Sequence, residues 1–189
     1  YDRARPHYPR ELADAILSGL PGHRVLDVGI GTGISALPFR EAGAVVSGVE
    51  VDPRMAGVAR SRGFEVTVAR FEAWNPAGET FDAVIAGQTW HWIDPVAGAA
   101  KAAGVLGPGG RLALFWNIGE PDPEIAAAFA GIYRSVDTGL PFTPWAVPAI
   151  GGYDTITAHA IEGIAATAAF SEAERLRFDW QTTLTKEQW

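Results

Sequence analysis

Apolar runs of four to six residues alternate along the chain with segments whose apolar positions recur every three or four residues. Residues 11–18 carry Leu12, Ala15 and Ile16 at helical spacing, and Gly19-Leu20-Pro21-Gly22 stops that helix. Residues 24–28 form a β-branched run ending at Gly29, which reads as a buried strand entering a tight turn. Helix follows over 32–41, where Pro38 predicts a kink or a late start because it removes a backbone donor. Further strands are expected at 44–49, 64–69, 81–86 and 111–116, with helices at 53–60 and 96–103 and a Gly107-Pro108-Gly109-Gly110 turn before the fifth strand. Beyond Trp116 the pattern gives a helix at 123–136, a Pro/Gly-rich loop or lid at 137–153 and a helix at 154–166. Residues 174–185 alternate Leu176, Phe178 and Trp180 against polar neighbours, which predicts a sixth strand.

Strand–helix–strand alternation of this kind predicts an α/β fold: a doubly wound, mostly parallel sheet with helices on both faces and ligands at the carboxyl ends of its strands. With 189 residues, 48% hydrophobic and 20% charged, a single domain over 1–189 is expected. It divides into a leading cap and helix (1–22), a core (23–116) and a lid with helices and the sixth strand (117–189). The formal net charge of −7 gives no general attraction to nucleic acid or anionic membranes, so neither is an expected partner. Cysteine is absent, which removes disulfides, thiolate metal sites and cysteine nucleophiles. His7, His23, His91 and His159 lack paired ligand spacing, so no metal is expected. No apolar run reaches membrane-spanning length, and the opening ten residues are too polar for a signal peptide, so a cytoplasmic protein is the expectation.

The strongest local signal is Val25-Leu26-Asp27-Val28-Gly29-Ile30-Gly31-Thr32-Gly33, a strand running into glycines that let a ligand approach the backbone. Glu50 closes the second strand about 20 residues further on, where a carboxylate can accept both hydroxyls of a ribose. Dinucleotide enzymes share this layout, but their fingerprint is G-x-G-x-x-G. Here Gly29, Gly31 and Gly33 are spaced G-x-G-x-G, and Ile34 stands where that fingerprint needs glycine.

With Asp27 ahead of the turn and Leu106-Gly107-Pro108-Gly109-Gly110 entering the fifth strand, the chain resembles the class I S-adenosylmethionine (SAM)-dependent methyltransferases, in their small-molecule, type 11-like branch. The resemblance covers most of residues 1–116. It implies SAM as cofactor and a Rossmann-like methyltransferase fold, with Asp27, Gly29, Ile30, Gly31 and Gly33 at the methionine end, Glu50 on the ribose and Val51 on one face of the adenine. It also places an acid near the adenine amino group after the third strand, where this chain has Arg70-Phe71-Glu72. Glu72 or the backbone and ring of Phe71 are the substitutes for that contact; a solvated Arg70 and Glu72 around a core Phe71 is the alternative. The opening Tyr1-Asp2-Arg3-Ala4-Arg5-Pro6-His7-Tyr8-Pro9 resembles a leading segment that folds over the cofactor, which implies Arg5 at the methionine carboxylate and Tyr1 or Tyr8 closing the pocket. The fold implied has a seventh, antiparallel strand, whereas the sequence ends at Trp189, so an incomplete sheet edge is expected.

Methyl transfer from a sulfonium is an in-line displacement that gains most from alignment and exclusion of water, and a base is needed only when the acceptor must lose a proton. Gly87-Gln88-Thr89-Trp90-His91-Trp92-Ile93-Asp94 follows the fourth strand and so lies at the ligand-binding edge. Gln88 is a cofactor candidate. His91 has three readings: a catalytic base, a hydrogen-bond partner of cofactor or substrate, or a packed structural ring. One of Trp90 and Trp92 is expected to face the pocket and the other the core. By resemblance, Trp92 and Asp94 match an aromatic and acid that recur at this place. The reading is a methyltransferase acting on a small-molecule acceptor of unspecified identity, compatible with a homodimer. The alternatives are a non-catalytic SAM-binding sensor or partner subunit, and a nicotinamide-dependent oxidoreductase that Ile34 disfavours.

Overall fold

The computed structural model describes residues 5–140, 143–147 and 149–185. Five strands form one sheet in the order β3-β2-β1-β4-β5: β1 (Arg24–Val28), β2 (Val45–Glu50), β3 (Glu65–Val68), β4 (Phe81–Gly87) and β5 (Leu106–Phe115). Every pairing is parallel, with Val25 beside Val46 and Ala83, and Leu26 beside Val84. The helices are α1 (Arg10–Leu17), α2 (Leu37–Glu41), α3 (Pro53–Ser61), α4 (Pro95–Val105), α5 (Pro123–Ser135) and α6 (Ile150–Ala166).

Successive strand residues point to opposite faces, and both faces are covered, so the apolar runs divide into two cores. Val25, Val46, Ala83 and Ile85 pack with Leu12 and Ile16 of α1, Phe39 of α2 and Ala59 of α3. Leu26, Val28, Val49 and Val84 pack on the other face with Ala99, Ala102 and Val105 of α4 and Ala160 of α6. Small residues set the approach of α6 to α4, since a Cβ at Gly163 would lie 2.4 Å from Cβ of Pro95. Asp-Pro pairs start three helices: the carboxylates of Asp52, Asp94 and Asp122 accept backbone N–H groups in the first turn while proline supplies a helical φ at the next position. At the other end of α1, the Arg111 guanidinium donates to the carbonyls of Ala15, Ile16 and Ser18, joining β5 to the helix terminus.

Three sequence expectations are corrected. The turn at 107–110 lies within the span of β5, where a register shift opposite Phe81–Ala83 accommodates it as a bulge, with Gly109 at φ +76°. α6 begins at Ile150, so the end of the expected lid is helical, whereas the second helix takes the late start predicted from Pro38. The sixth strand is not formed: residues 171–185 have no regular structure, and the sheet has five strands among the described residues. Alternation specifies a strand only where a ladder partner is at hand. Here Leu176, Trp180 and Leu184 remain exposed, and Phe178 packs against the first core from irregular backbone. The Thr185-Lys186-Glu187-Gln188 pattern, which reads as the start of a capped helix, runs into residues outside the described ones.

Candidate active site

A cleft of about 760 Å³ opens at the carboxyl ends of the strands, within the size range of small-molecule sites. Its floor is the β1 turn. Gly29, Gly31 and Gly33 all have left-handed φ (+69°, +57° and +91°), and a Cβ at Gly29 would lie 2.3 Å from Cγ2 of Thr89. The turn is anchored to β2, with Gly29 N–H donating to the Val49 carbonyl at 2.8 Å. Gly33 lies behind the wall, where a Cβ would meet the Phe64 ring at 2.8 Å. So Gly29 and Gly31 shape the cleft, and Gly33 serves the packing beneath it.

Glu50, 6% exposed at the end of β2, joins the turn to the cleft. Its Oε2 accepts Gly31 N–H at 2.8 Å and its Oε1 accepts Asp52 N–H at 2.9 Å. An ionised carboxylate has about four acceptor positions, so about two remain for a ligand's hydroxyls. Val51, 63% exposed, lines the cleft beside it with Met55 from α3. Ala69, Arg70, Phe71 and Glu72 close that end; Phe71 is buried, 6.4 Å from Trp74 and 6.5 Å from Trp90 by ring centroids, while Arg70 is exposed.

The opposite end is built by β4, β5 and the amino-terminal segment. Gln88 has φ +55°, a conformation that costs a non-glycine residue about 1–2 kcal/mol. It is held there on both sides: its N–H donates to the Phe115 carbonyl at 2.9 Å, and its Nε2 donates to the Asn117 carbonyl at 2.8 Å. Arg5, Pro6 and Tyr8 line the cleft, with the Tyr8 ring edge-on to Phe115 at 4.8 Å. The Asn117 side chain ties this segment down, donating through Nδ2 to the carbonyls of His7 (3.3 Å) and Pro6 (3.5 Å) and accepting Trp180 Nε1–H at 3.3 Å. Tyr153 of α6 completes the wall.

The methyltransferase domain family matches residues 26–114, from β1 to the end of β5. An uncharacterized methyltransferase of Mycobacterium tuberculosis is 41% identical over 120 residues, covering 62% of this chain and 49% of that protein. A ribosomal protein L11 methyltransferase of Burkholderia ambifaria is 37% identical over 125 residues, covering 64% and 39%. A solved structure from Anaeromyxobacter dehalogenans, provisionally assigned as a type II methyltransferase, superposes with a TM-score of 0.57 at 26% identity, covering 73% of this chain and 66% of that one. Residues 26–114 are a methyltransferase domain, and its parallel sheet is of the Rossmann-like methyltransferase type. The chain spans half or less of the length of these curated relatives.

The cleft wall brings together Arg5, Gly29, Ile30, Gly31, Glu50, Val51, Phe71, Glu72 and Gln88 from the expected set. Asp27 is buried behind the turn. Its Oδ2 accepts the Ser35 hydroxyl at 2.6 Å, and its Oδ1 has no hydrogen-bond partner among the described residues. Burial pushes the Asp27 carboxyl up to about 7; the Ser35 hydrogen bond opposes this and the Glu50 charge adds to it. Tyr1 lies outside the described residues. Trp90 is in the core at 2% exposure and Trp92 is on the cleft wall at 78%, the division expected of the pair. Asp94 caps α4 through Val96 and Ala97 N–H instead of facing the cleft.

His91 lies off the cleft wall. Its Nδ1 accepts Trp116 Nε1–H at 3.3 Å, and partial burial lowers its pKa, so the neutral ring carries its proton on Nε2. That geometry offers a donor, and a base role would require breaking the Trp116 bond. Thr89 and Ile93, from the segment expected at the ligand-binding edge, and Tyr153, from the end of the expected lid, also line the cleft, as do Met55 and Asn117, which the sequence did not single out.

Proposed function

We propose that this chain is an enzyme that transfers the methyl group of S-adenosylmethionine to a small-molecule acceptor. The observation that carries the reading is Glu50: a buried carboxylate bridging the glycine turn and α3's cap, with acceptor capacity left at the floor of a cleft of cofactor size. The residues fit the cofactor. Glu50 takes the ribose hydroxyls, Val51, Phe71 and Glu72 surround the adenine, and Gly29–Gly31 with Gln88 and Arg5 hold the methionine end. Asp27 acts from behind the turn as a positioning group through Ser35. The cofactor supplies an electrophilic methyl group; the protein's part is to align the acceptor and keep water out. The Asn117-tethered amino-terminal segment and Tyr153 are placed to do this.

The acceptor is not specified by the methyltransferase likeness, since a relative named for a ribosomal protein matches 64% of this chain. A small molecule is favoured by the size of the cleft and by the acidic chain. The test is incubation of the full chain with methyl-tritiated SAM and a panel of phenols, carboxylic acids and amines. Label in an extractable product is the expected result. Cofactor binding without transfer to any member or to added protein would overturn the catalytic reading.

A further inference from the structure

The wall that the cofactor reading leaves unused is aromatic. Trp92 presents 78% of its surface to solvent on the cleft wall, whereas Trp90 in the same turn is buried. The exposed ring is braced. His91 packs against it at 4.9 Å with a 47° tilt, and Trp116, the first residue after β5, holds His91 through the Nε1–H···Nδ1 bond. Trp92 is therefore supported from two neighbouring strand ends. Tyr153 enters the same cleft from the first turn of α6, a helix that packs against the Trp90–Trp92 turn.

The polar groups nearby are largely committed within the protein. The Thr89 hydroxyl donates towards the carbonyls of Gly87 and Gly29, Gln88 Nε2 donates to Asn117, and the Asn117 amide binds His7, Pro6 and Trp180. The acids on the cleft wall, Glu50 at the end of β2 and Glu72 beyond β3, stand at the other end. A polyhydroxylated acceptor would find few partners here, while a flat apolar ring finds a braced indole.

We infer that Trp92 is the stacking platform for the methyl acceptor, that the acceptor is a planar aromatic molecule of the phenol class, and that His91 is a positioning residue for Trp92. This rests on the SAM-dependent reading of the cleft. Stacking on an aromatic side chain typically costs about tenfold or more in affinity when the ring is removed.

The experiment is calorimetric titration of the full chain, first with S-adenosylhomocysteine (SAH) and then, on the SAH complex, with 1-naphthol or methyl β-glucopyranoside. The SAH step stands alone, and its failure in the wild-type protein overturns the cofactor reading beneath this one. Given SAH binding, 1-naphthol is expected to bind at least tenfold tighter than the glucoside. Trp92→Ala should weaken naphthol at least tenfold and leave SAH within twofold; Trp92→Phe should retain naphthol within about threefold. His91→Ala should weaken naphthol about fivefold, and His91→Gln, whose carbonyl can accept Trp116 Nε1–H, should recover most of it. The inference is overturned if naphthol does not bind the SAH complex, if the glucoside binds as well, if Trp92→Ala leaves naphthol unchanged, or if Trp92→Ala weakens SAH equally.

Discussion

Replacing Glu50 by glutamine exchanges one carboxylate oxygen for an NH2 group with little change in volume. In the protein both oxygens accept backbone N–H groups, from Gly31 at 2.8 Å and Asp52 at 2.9 Å. Glutamine can satisfy one of them, and its amide must face the other donor to donor. In the proposed complex each oxygen also accepts a ribose hydroxyl. Hydrogen bonds to a charged group contribute about 1.5–3 kcal/mol against about 0.5–1.5 for neutral pairs, so neutralising the acceptor of two bonds costs about 2–3 kcal/mol of binding. At 1.4 kcal/mol per tenfold, Glu50→Gln should bind SAH about 30- to 150-fold more weakly, and Glu50→Ala more weakly still. The assay is calorimetry with SAH and its 2′-deoxy analogue on both proteins, with circular dichroism as a check on folding. The wild type should lose affinity for the deoxy analogue, and the variant should lose less, because the missing hydroxyl makes one of the two bonds that the substitution weakens. Affinity within threefold of wild type, or losses that add in full, would refute the placement of Glu50 on the ribose.

Asp27 links stability to pH. Its folded pKa of about 7 lies above the ordinary value of 3.8, so the folded state binds more protons between these limits. Its contribution is fully present below about pH 4 and is lost as pH rises through about 7, at most about 4 kcal/mol. Urea unfolding at pH 5 and 8 should therefore show Asp27→Asn gaining stability over wild type at the higher pH; a pH-independent difference would contradict this. Gly29→Ala places a Cβ in left-handed backbone 2.3 Å from Thr89 Cγ2, and the combined strain and overpacking should cost about 2–4 kcal/mol in the same assay. Gly43→Ala is the control: φ is +90° with nothing within 4 Å, so only about 1–2 kcal/mol is expected. Asn117→Ala removes the ties to Pro6, His7 and Trp180, and hydrogen exchange at His7 and Tyr8 should quicken about tenfold with SAH affinity reduced several-fold; unchanged exchange would show that the segment is held by other contacts.

The parts of the site legible in the sequence are those where backbone and chemistry coincide within a few residues. The run from Val25 to Gly33 announces strand, turn and ligand approach together, and Glu50 ends the next strand in register with it. Parallel topology followed from continuous apolar runs joined by helices, because only a sheet covered on both faces buries such runs. What stayed hidden depends on contacts between distant segments. The Asn117 ties span about 110 residues to the amino-terminal segment and 63 to Trp180, and the Trp116–His91 bond joins two strand ends that only the sheet order makes neighbours. The reading of residues 174–185 as a strand failed for the complementary reason: alternation describes a chain with two different sides, and Phe178 supplies that without a ladder. Asp94 shows how a local pattern carries two meanings, since an acid before proline is as good a helix cap as a ligand.

The central claim is that the cleft at the β1 turn binds the methyltransferase cofactor. Calorimetric titration of the purified chain with SAH, alongside NADH, addresses it most directly. Micromolar binding of SAH with no heat from NADH is the predicted result; NADH binding that SAH fails to displace, or no binding of SAH, would contradict it.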